Sequence, residues 1–385
     1  MNVVAATEAA SNAFPALRAL GRPGRSLMLS AIADALDESA EELAATAAEE
    51  THLSLERLRG EVGRTTGQLR LFASVLDEGS YLEVTIDRAQ PNATPPRPDL
   101  RRLLVPLGPV AVFSASNFPF AFSVVGGDTA SALAAGCPVV VKAHSAHPRL
   151  SRAVAAIASA AAVGAGAPAG TLELVEGREE GVALVQDARI RAVGFTGSLH
   201  GGRILFDLAV GRPDPIPFYG ELGSTNPVVL TAGAARERSR ELAGGLVASF
   251  TLGVGQFCTK PGIVLVPAGS TFAADLAGEL AGAPGGVMLS DGIADAFRSG
   301  VDRLFTAPGV RVIGRGAAGS GETAIAFLTD AATAVASPEL LDECFGPTTL
   351  VVEYESLADI DRVLETVGAA LTGTIHAAAD EDVAE

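Results

Sequence analysis

A chain of 385 residues with 45 Asp plus Glu against 28 Lys plus Arg carries a formal net charge of −17. At roughly 150 residues per domain the length predicts two or three domains, and the negative field excludes nucleic acid as a partner, because a phosphate backbone would be repelled rather than neutralised. Hydrophobic residues at 48% and charged residues at 19% exclude a disordered chain.

The first 20 residues have neither a basic start nor a strong hydrophobic block, so no secretory signal is expected and a cytoplasmic location follows. Residues 25 to 78 read as helices, with Leu27, Ile32, Leu36 and Leu43, then Leu55, Leu58, Leu69, Phe72 and Leu76, at spacings that include three- and four-residue steps. Gly60, Gly63 and Gly67 argue against one unbroken rod. From 81 to 105 the character changes: Tyr81 to Ile86 has strand-like content, prolines crowd 91 to 98, and Arg101 to Val105 resumes an extended pattern, together an excursion read as a pairing arm. The run Leu103 to Gly127 is uncharged over 25 residues, long enough to suggest a membrane span. Pro106, Pro109 and Pro119 break it into a strand, a turn and a helix start, and no membrane partner is expected.

From Val110 short apolar strands alternate with alanine-rich helices: Val110 to Phe113, helix 119 to 135, Val139 to Val141, helix 148 to 163, Leu172 to Val175, Ala192 to Phe195 and helix 199 to 210. That rhythm predicts a parallel sheet covered on both faces. A second such stretch starts near Val228, with helix 239 to 252, strand Ile263 to Val266 and helix 271 to 282.

Two glycine runs are weaker than they look. Val163 to Gly170 follows a helix and precedes a strand, the reverse of a dinucleotide fingerprint, and reads as a helix stop and turn. Gly314 to Gly321 lacks the lysine of a phosphate-binding loop and reads as a flexible surface turn. His144 and His147 have no third ligand, so no metal is expected and packing or nucleotide contact stays open for them. Among three dispersed cysteines, Cys137 reads as structural; Cys258 lies in a turn between an apolar helix and a strand, where it is either a buried, incidental cysteine or a thiol whose pKa a helix-end dipole would lower. Only two lysines occur, Lys142 and Lys260, which raises the question of what an ammonium does there that a guanidinium would not.

Six segments in order resemble the aldehyde dehydrogenase superfamily: Ser114-Ala-Ser-Asn-Phe-Pro-Phe120, Ala134-Ala-Gly-Cys-Pro-Val-Val-Val-Lys142, Gly194-Phe-Thr-Gly-Ser198, Glu221-Leu-Gly-Ser224, Gly255-Gln-Phe-Cys-Thr259 and Glu343-Cys-Phe-Gly-Pro347. The resemblance implies an α/β fold with a Rossmann-type cofactor domain at 1–80 and 106–223, an oligomerisation arm at 81–105 and an α/β catalytic domain at 224–385. It implies that Cys258 attacks an aldehyde carbonyl to form a thiohemiacetal and then an acyl-thioester, that Asn117 and the Cys258 amide stabilise the oxyanion, and that Glu221 activates the hydrolytic water. It assigns Lys142 to the adenosine ribose, Gly197 and Ser198 to the pyrophosphate, and Glu343 and Phe345 to the nicotinamide ribose.

Where the family often reads Lys-Pro-Ala-Glu, this chain reads Lys142-Ala-His-Ser145. Serine removes a carboxylate that would repel a 2′-phosphate, so NADP is expected, with NAD possible; Ser145 becomes a contact, with His144 or His147 adding a polar one that protonation near pH 6 to 7 would strengthen. The longer segments 117–129 and 217–226 resemble the NADP-linked branch with 2,5-dioxovalerate (α-ketoglutarate semialdehyde) dehydrogenases, medium- or long-chain aliphatic aldehydes being the alternative. The family's usual continuation, with its final pairing strand, has no counterpart after Glu385. The expected homodimer or homotetramer and full activity are therefore open, and a catalytically compromised member with a structural role is the reading from another class.

Overall fold

The computed structural model describes residues 2–381, and the chain divides into two compact units between Leu222 and Gly223. The first unit opens with four helices, α1 (Val3–Ala19), α2 (Gly21–Glu38), α3 (Ala40–Thr51) and α4 (Leu55–Glu78). The arm follows as an antiparallel pair, β1 (Thr85–Asp87) and β2 (Leu100–Arg102), with Thr85 opposite Arg102 and all six strand residues exposed. Then come β3 (Val110–Phe113), α5 (Gly127–Ala135), β4 (Val139–Lys142), α6 (Pro148–Gly164), β5 (Leu172–Val175), α7 (Arg178–Gln186), β6 (Ala192–Thr196), α8 (Leu199–Val210) and β7 (Phe218–Glu221).

The strands from β3 to β7 form one all-parallel sheet in the order β5-β4-β3-β6-β7. Because side chains alternate along a strand, Val110 and Val112 enter a core built with α2 to α6, while Ala111 and Phe113 enter a second core with α1, α7 and α8. Burial on both faces is what makes the central strands β3 and β4 read as continuous apolar runs. The chain leaves β3 toward one side of the sheet and β6 continues on the other, and an open parallel sheet binds its ligand at such a reversal, at the carboxyl ends of the strands.

Two local expectations change. The helix expected over 119 to 135 begins only at Gly127, because residues 119–126 are turns in which Glu61 takes the Phe120 and Ala121 amides while those of Phe122, Ser123 and Gly126 bond locally. Phe120, Ala121, Val124 and Val125 are all buried there, so apolar content marks a core loop and not a helix. Conversely α4 runs unbroken for 24 residues through Gly60, Gly63 and Gly67. All three glycines are exposed, and on the other side Leu58, Val62, Leu69, Ala73 and Leu76 are buried. Each buried leucine contributes about 1.5–3 kcal/mol, more than the roughly 1 kcal/mol that each glycine costs.

The second unit contains β8 (Pro227–Leu230), α9 (Ala232–Thr251), β9 (Ile263–Pro267), α10 (Phe272–Leu280), α11 (Asp291–Thr306), β10 (Arg311–Arg315), β11 (Ile325–Asp330), α12 (Ala331–Ala336), β12 (Thr348–Tyr354), α13 (Leu357–Val367) and β13 (Thr374–His376). Its six-stranded sheet has the order β10-β11-β12-β9-β8-β13, parallel except for the antiparallel edge strand β10. Val264, Val266 and Val351 face α9 and α10, whereas Ile263, Leu265, Leu350 and Val352 face a core shared with Leu304, Leu340 and Val363. The Gly314 to Gly321 run is not wholly a turn, since Gly314 and Arg315 complete β10 at a bulge. Among the described residues no helix is long and apolar enough to cross a membrane.

Candidate active site

In the second unit, Cys258 is half-buried three residues beyond a short 3-10 turn, Leu252–Gly255, that closes α9. The helix end that precedes it is therefore a carboxyl end, with a negative partial charge, and the expected lowering of the thiol pKa by a helix dipole has the wrong sign here. What the sequence builds instead is a rigid turn. Gly253, Val254 and Gly255 occupy left-handed backbone at φ 56°, 58° and 67°, a conformation that costs a β-branched residue such as Val254 on the order of 1–2 kcal/mol. Gly255 is required for a second reason: a Cβ on it would lie 2.2 Å from the Gly346 carbonyl oxygen. The Cys258 turn thus touches the Glu343-Cys-Phe-Gly346 segment backbone to backbone.

A buried polar network fixes the rest of the turn. Asn226, at φ 45° and 2% exposed, donates from Nδ2 to the Cys258 carbonyl at 2.7 Å and the Lys260 carbonyl at 2.9 Å. Its Oδ1 accepts from Ser224 Oγ at 2.7 Å and from the Thr372 amide at 3.1 Å, so all four sites of the side-chain amide are used. Lys260 is 3% exposed and donates from Nζ to the Cys344 carbonyl at 2.8 Å and the Thr348 carbonyl at 2.9 Å. Desolvation pulls its pKa down, while the Cys344 and Glu343 side chains oppose the shift. A compact ammonium suits two converging carbonyls better than a planar fork would. Gln256, 1% exposed, accepts from the Leu289 amide at 2.9 Å and donates to Gly253 O at 3.1 Å. Glu343 and Phe345 are half-buried, and burial raises the Glu343 pKa against the Lys260 charge and a hydrogen bond from the Ser224 amide. The structure therefore brings Cys258, Glu343 and Phe345 together on one unit.

The remaining sequence-derived residues lie in the first unit, on the carboxyl side of one sheet: Asn117 after β3, Lys142 ending β4 with His144 and Ser145 just beyond, Gly197 and Ser198 after β6, and Glu221 ending β7. Glu221 is half-buried and pairs in register with Thr196, and its carbonyl accepts from the Gly197 amide at 3.0 Å. Asp128 is pushed up by desolvation and then by the Glu221 charge, which places the two carboxylates close enough to interact. Asn117 is 8% exposed, and Arg57 donates to its carbonyl at 2.6 Å. Glu61, 5% exposed on α4, accepts from the Phe120 and Ala121 amides at 2.8 and 3.0 Å, and its second oxygen has no hydrogen-bond partner. Burial raises the Glu61 pKa, opposed by those two amides and by Arg57 and Arg64.

Three features of this edge fit a nicotinamide dinucleotide. The half-buried Lys142 ammonium has no hydrogen bond or ion pair among the described residues, and desolvation lowers its pKa, so an anion or a hydroxyl cluster is what it lacks. Ser198 caps α8 by accepting from the Gly201 amide at 3.2 Å, leaving the other first-turn amides for phosphate oxygens. Gly197 has no room for a side chain, since a Cβ would meet the Phe195 ring at 2.9 Å. His144 corrects an expectation: burial, then His147 and Lys142, pull its pKa down to about 3. Its Nδ1 accepts from the Ala146 amide at 3.1 Å, so it is neutral at pH 6 to 7 and adds no charge to a phosphate contact. His147, 0% exposed, bridges Ser151 Oγ at 3.2 Å and Ala115 O at 3.0 Å and belongs to the core, and Ser145 is exposed.

Sequence alone gives Glu61 and the arginines of α4 no role, marks Asn226 only as part of an Asn-Pro step near the expected domain crossing, and marks Lys260 only by the scarcity of lysine. Their partners lie tens of residues away, and only the Asn-Pro step at 226 and the scarcity of lysine offered any signal.

A model of the aldehyde dehydrogenase family matches residues 1–283. The chain is 48% identical to alpha-ketoglutaric semialdehyde dehydrogenase 2 of Azospirillum brasilense, an alignment covering 99% of this chain and 74% of that protein. It is 42% identical to alpha-ketoglutaric semialdehyde dehydrogenase of Acinetobacter baylyi, with 97% and 72% covered. Among solved structures, an NAD-dependent benzaldehyde dehydrogenase from Corynebacterium glutamicum superposes with a TM-score of 0.79 at 23% identity, over 97% of this chain and 80% of that one. Proline utilization A of Bradyrhizobium japonicum gives 0.80 at 24% identity, over 97% of this chain and 38% of that longer one. Identities of this size carry the fold alone.

Proposed function

The chain belongs to the aldehyde dehydrogenase family, and from that premise we propose that it oxidises 2,5-dioxovalerate to 2-oxoglutarate with NADP through a thioester on Cys258. The observation that carries the chemistry is the locked turn, in which Asn226, Lys260 and the Gly255–Gly346 backbone contact hold Cys258 beside the Glu343 and Phe345 segment. The 48% identity to an alpha-ketoglutaric semialdehyde dehydrogenase supports the substrate.

In this reading the Cys258 sulfur adds to the aldehyde carbon, and the carbonyl oxygen becomes an oxyanion that takes hydrogen bonds from the Asn117 side chain and the Cys258 amide. The bound nicotinamide dinucleotide supplies the two-electron acceptor that converts the thiohemiacetal into an acyl-thioester. Glu221 removes a proton from water, the hydroxide attacks the thioester, and the carboxylate leaves as the Cys258 thiol is restored. Lys142 contacts the adenosine ribose, Gly197 and Ser198 the pyrophosphate, and Glu343 and Phe345 the nicotinamide ribose. Ser145, lacking a charge that would repel a 2′-phosphate, favours NADP.

A panel of 2,5-dioxovalerate, glutarate semialdehyde and medium-chain aldehydes with each cofactor tests this reading. The highest kcat/KM should fall to 2,5-dioxovalerate with NADP, and better turnover of the aliphatic series overturns the substrate. Cys258→Ala should abolish turnover. Glu221→Gln should keep a first-turnover burst of NADPH while losing steady-state turnover, whereas equal loss of both phases removes Glu221 from deacylation.

A further inference from the structure

Beside Glu221 stands a second carboxylate that the chemistry above does not use. On the first unit's sheet, Ala192 points into the core built with α2 to α6. Because side chains alternate along a strand, Gly194 and Thr196 face the same way, together with their register partners Tyr219 and Glu221 on β7. The place that a side chain at 194 would fill is taken by Asp128, from the first turn of α5: a Cβ on Gly194 would lie 3.0 Å from Asp128 Oδ2 and 3.2 Å from its Cγ. Glu221 stands two strand residues further along that face, about 7 Å, and its charge acts on Asp128.

Neither carboxylate is hydrogen-bonded to a donor or ion-paired with a cation among the described residues. Asp128 lines a cavity of about 230 Å³ with Leu107, Ser131, Cys137 and Tyr219, and no basic side chain lines it. Burial pushes the Cys137 thiol up, so that group stays neutral. An aspartate in the first turn suits the helix dipole, but a carboxylate turned fully to water would serve the dipole equally. Instead, desolvation and then the Glu221 charge push Asp128 up. Two like charges this close, with no counter-ion, hold a proton between them more readily than either does alone. Glu221 is half-buried whereas Asp128 is exposed, so a proton on Asp128 has a path to bulk water.

We propose that Asp128 is the outer partner of a proton relay that resets Glu221 after each deacylation. The inference rests on the role of Glu221 proposed above. Glu221 removes a proton from water as the hydroxide adds to the thioester. The O–H bond of the Glu221 carboxylic acid then breaks as one forms on Asp128, directly or through one water, and Asp128 releases the proton to solvent. No electrons are transferred in this step, and each turnover returns both groups to carboxylates.

The experiment follows the NADPH burst and the steady-state turnover of the wild type, Asp128→Asn and Glu221→Gln on whichever aldehyde the wild type oxidises fastest. It is run at fixed pH and ionic strength, with and without 2,6-lutidine, a hindered base that accepts protons but does not attack a thioester. Asparagine keeps the volume beside Gly194 and cannot take the proton. Asp128→Asn should keep the wild-type burst, lose about tenfold or more in kcat with KM little changed, and regain kcat as lutidine rises, while the wild type does not respond to the base. Asp128→Ser, a smaller replacement, repeats the comparison if asparagine disturbs the burst. An unchanged kcat, or a loss that no concentration of lutidine restores, overturns the relay while leaving the oxidation in place. Wild-type steady-state turnover in Glu221→Gln removes Glu221 from deacylation instead, and the relay with it.

Discussion

Lys260 shows how a single side chain can matter to a proposed nucleophile, Cys258, two residues away without touching substrate. Its ammonium ties the Cys258 turn to the backbone of Cys344 and Thr348, on either side of the Phe345 segment, and Asn226 closes the loop from the other direction. Replacing it by methionine keeps the volume but leaves two buried carbonyls without a donor, a change worth about 1–3 kcal/mol. Lys260→Met is therefore expected to raise KM for the cofactor and shift the pH dependence of Cys258 alkylation by iodoacetamide, beyond any loss of thermal stability. Lys260→Arg, which keeps the charge but not the shape, should fall between the two. A variant that melts earlier yet alkylates with the wild-type pH profile would reduce Lys260 to a purely structural group.

At the scale of elements, what the sequence could reveal depended on how local the cause was. The strands β3, β4, β5, β6 and β9 were legible within a residue or two, most sharply β3, β4 and β9, where burial on both faces writes an apolar run. The turn over 119–126 was not, because the Glu61 carboxylate that claims its Phe120 and Ala121 amides is about sixty positions away. The proposed site residues divide along the same line: Cys258, Asn117 and Glu221 stand in short motifs, whereas Asn226 and Lys260 hold the Cys258 turn through partners that only folding supplies. The continuity of α4 was misjudged because glycine propensity is local and the opposing burial is tertiary. That error yields a test: a Cβ at Gly60, Gly63 or Gly67 would meet nothing within 4 Å, so alanine at each should stabilise the helix by about 0.5–1 kcal/mol. The triple variant should raise the first unit's unfolding midpoint, and a lower midpoint would mean that the glycines admit a neighbour.

At the scale of the whole molecule, each unit has its own sheet buried by its own helices, which predicts two calorimetric transitions rather than one. Of the proposed cofactor contacts, Lys142, Gly197 and Ser198 lie in the first unit and Glu343 and Phe345 in the second, so NADP should raise both transitions, and the first unit's, which holds the larger share of the contacts, by more, which labels it. The same transition carries a pH signature from His144. Its folded pKa of about 3 lies below the ordinary value of 6.5, so between those two values the unfolded chain binds a proton that the folded chain refuses. The sign follows: stability is complete above pH 6.5 and is lost as the pH falls toward 3, with a limiting slope of about 1.4 kcal/mol per pH unit for one proton. Asparagine at this position can still accept from the Ala146 amide and cannot titrate. His144→Asn should therefore flatten the decline of the NADP-labelled transition between pH 6.5 and 5, leave the other transition where it was, and leave the pH dependence of NADP binding between pH 6 and 8 unchanged. An unaltered slope in that variant would place the acid sensitivity of the first unit elsewhere.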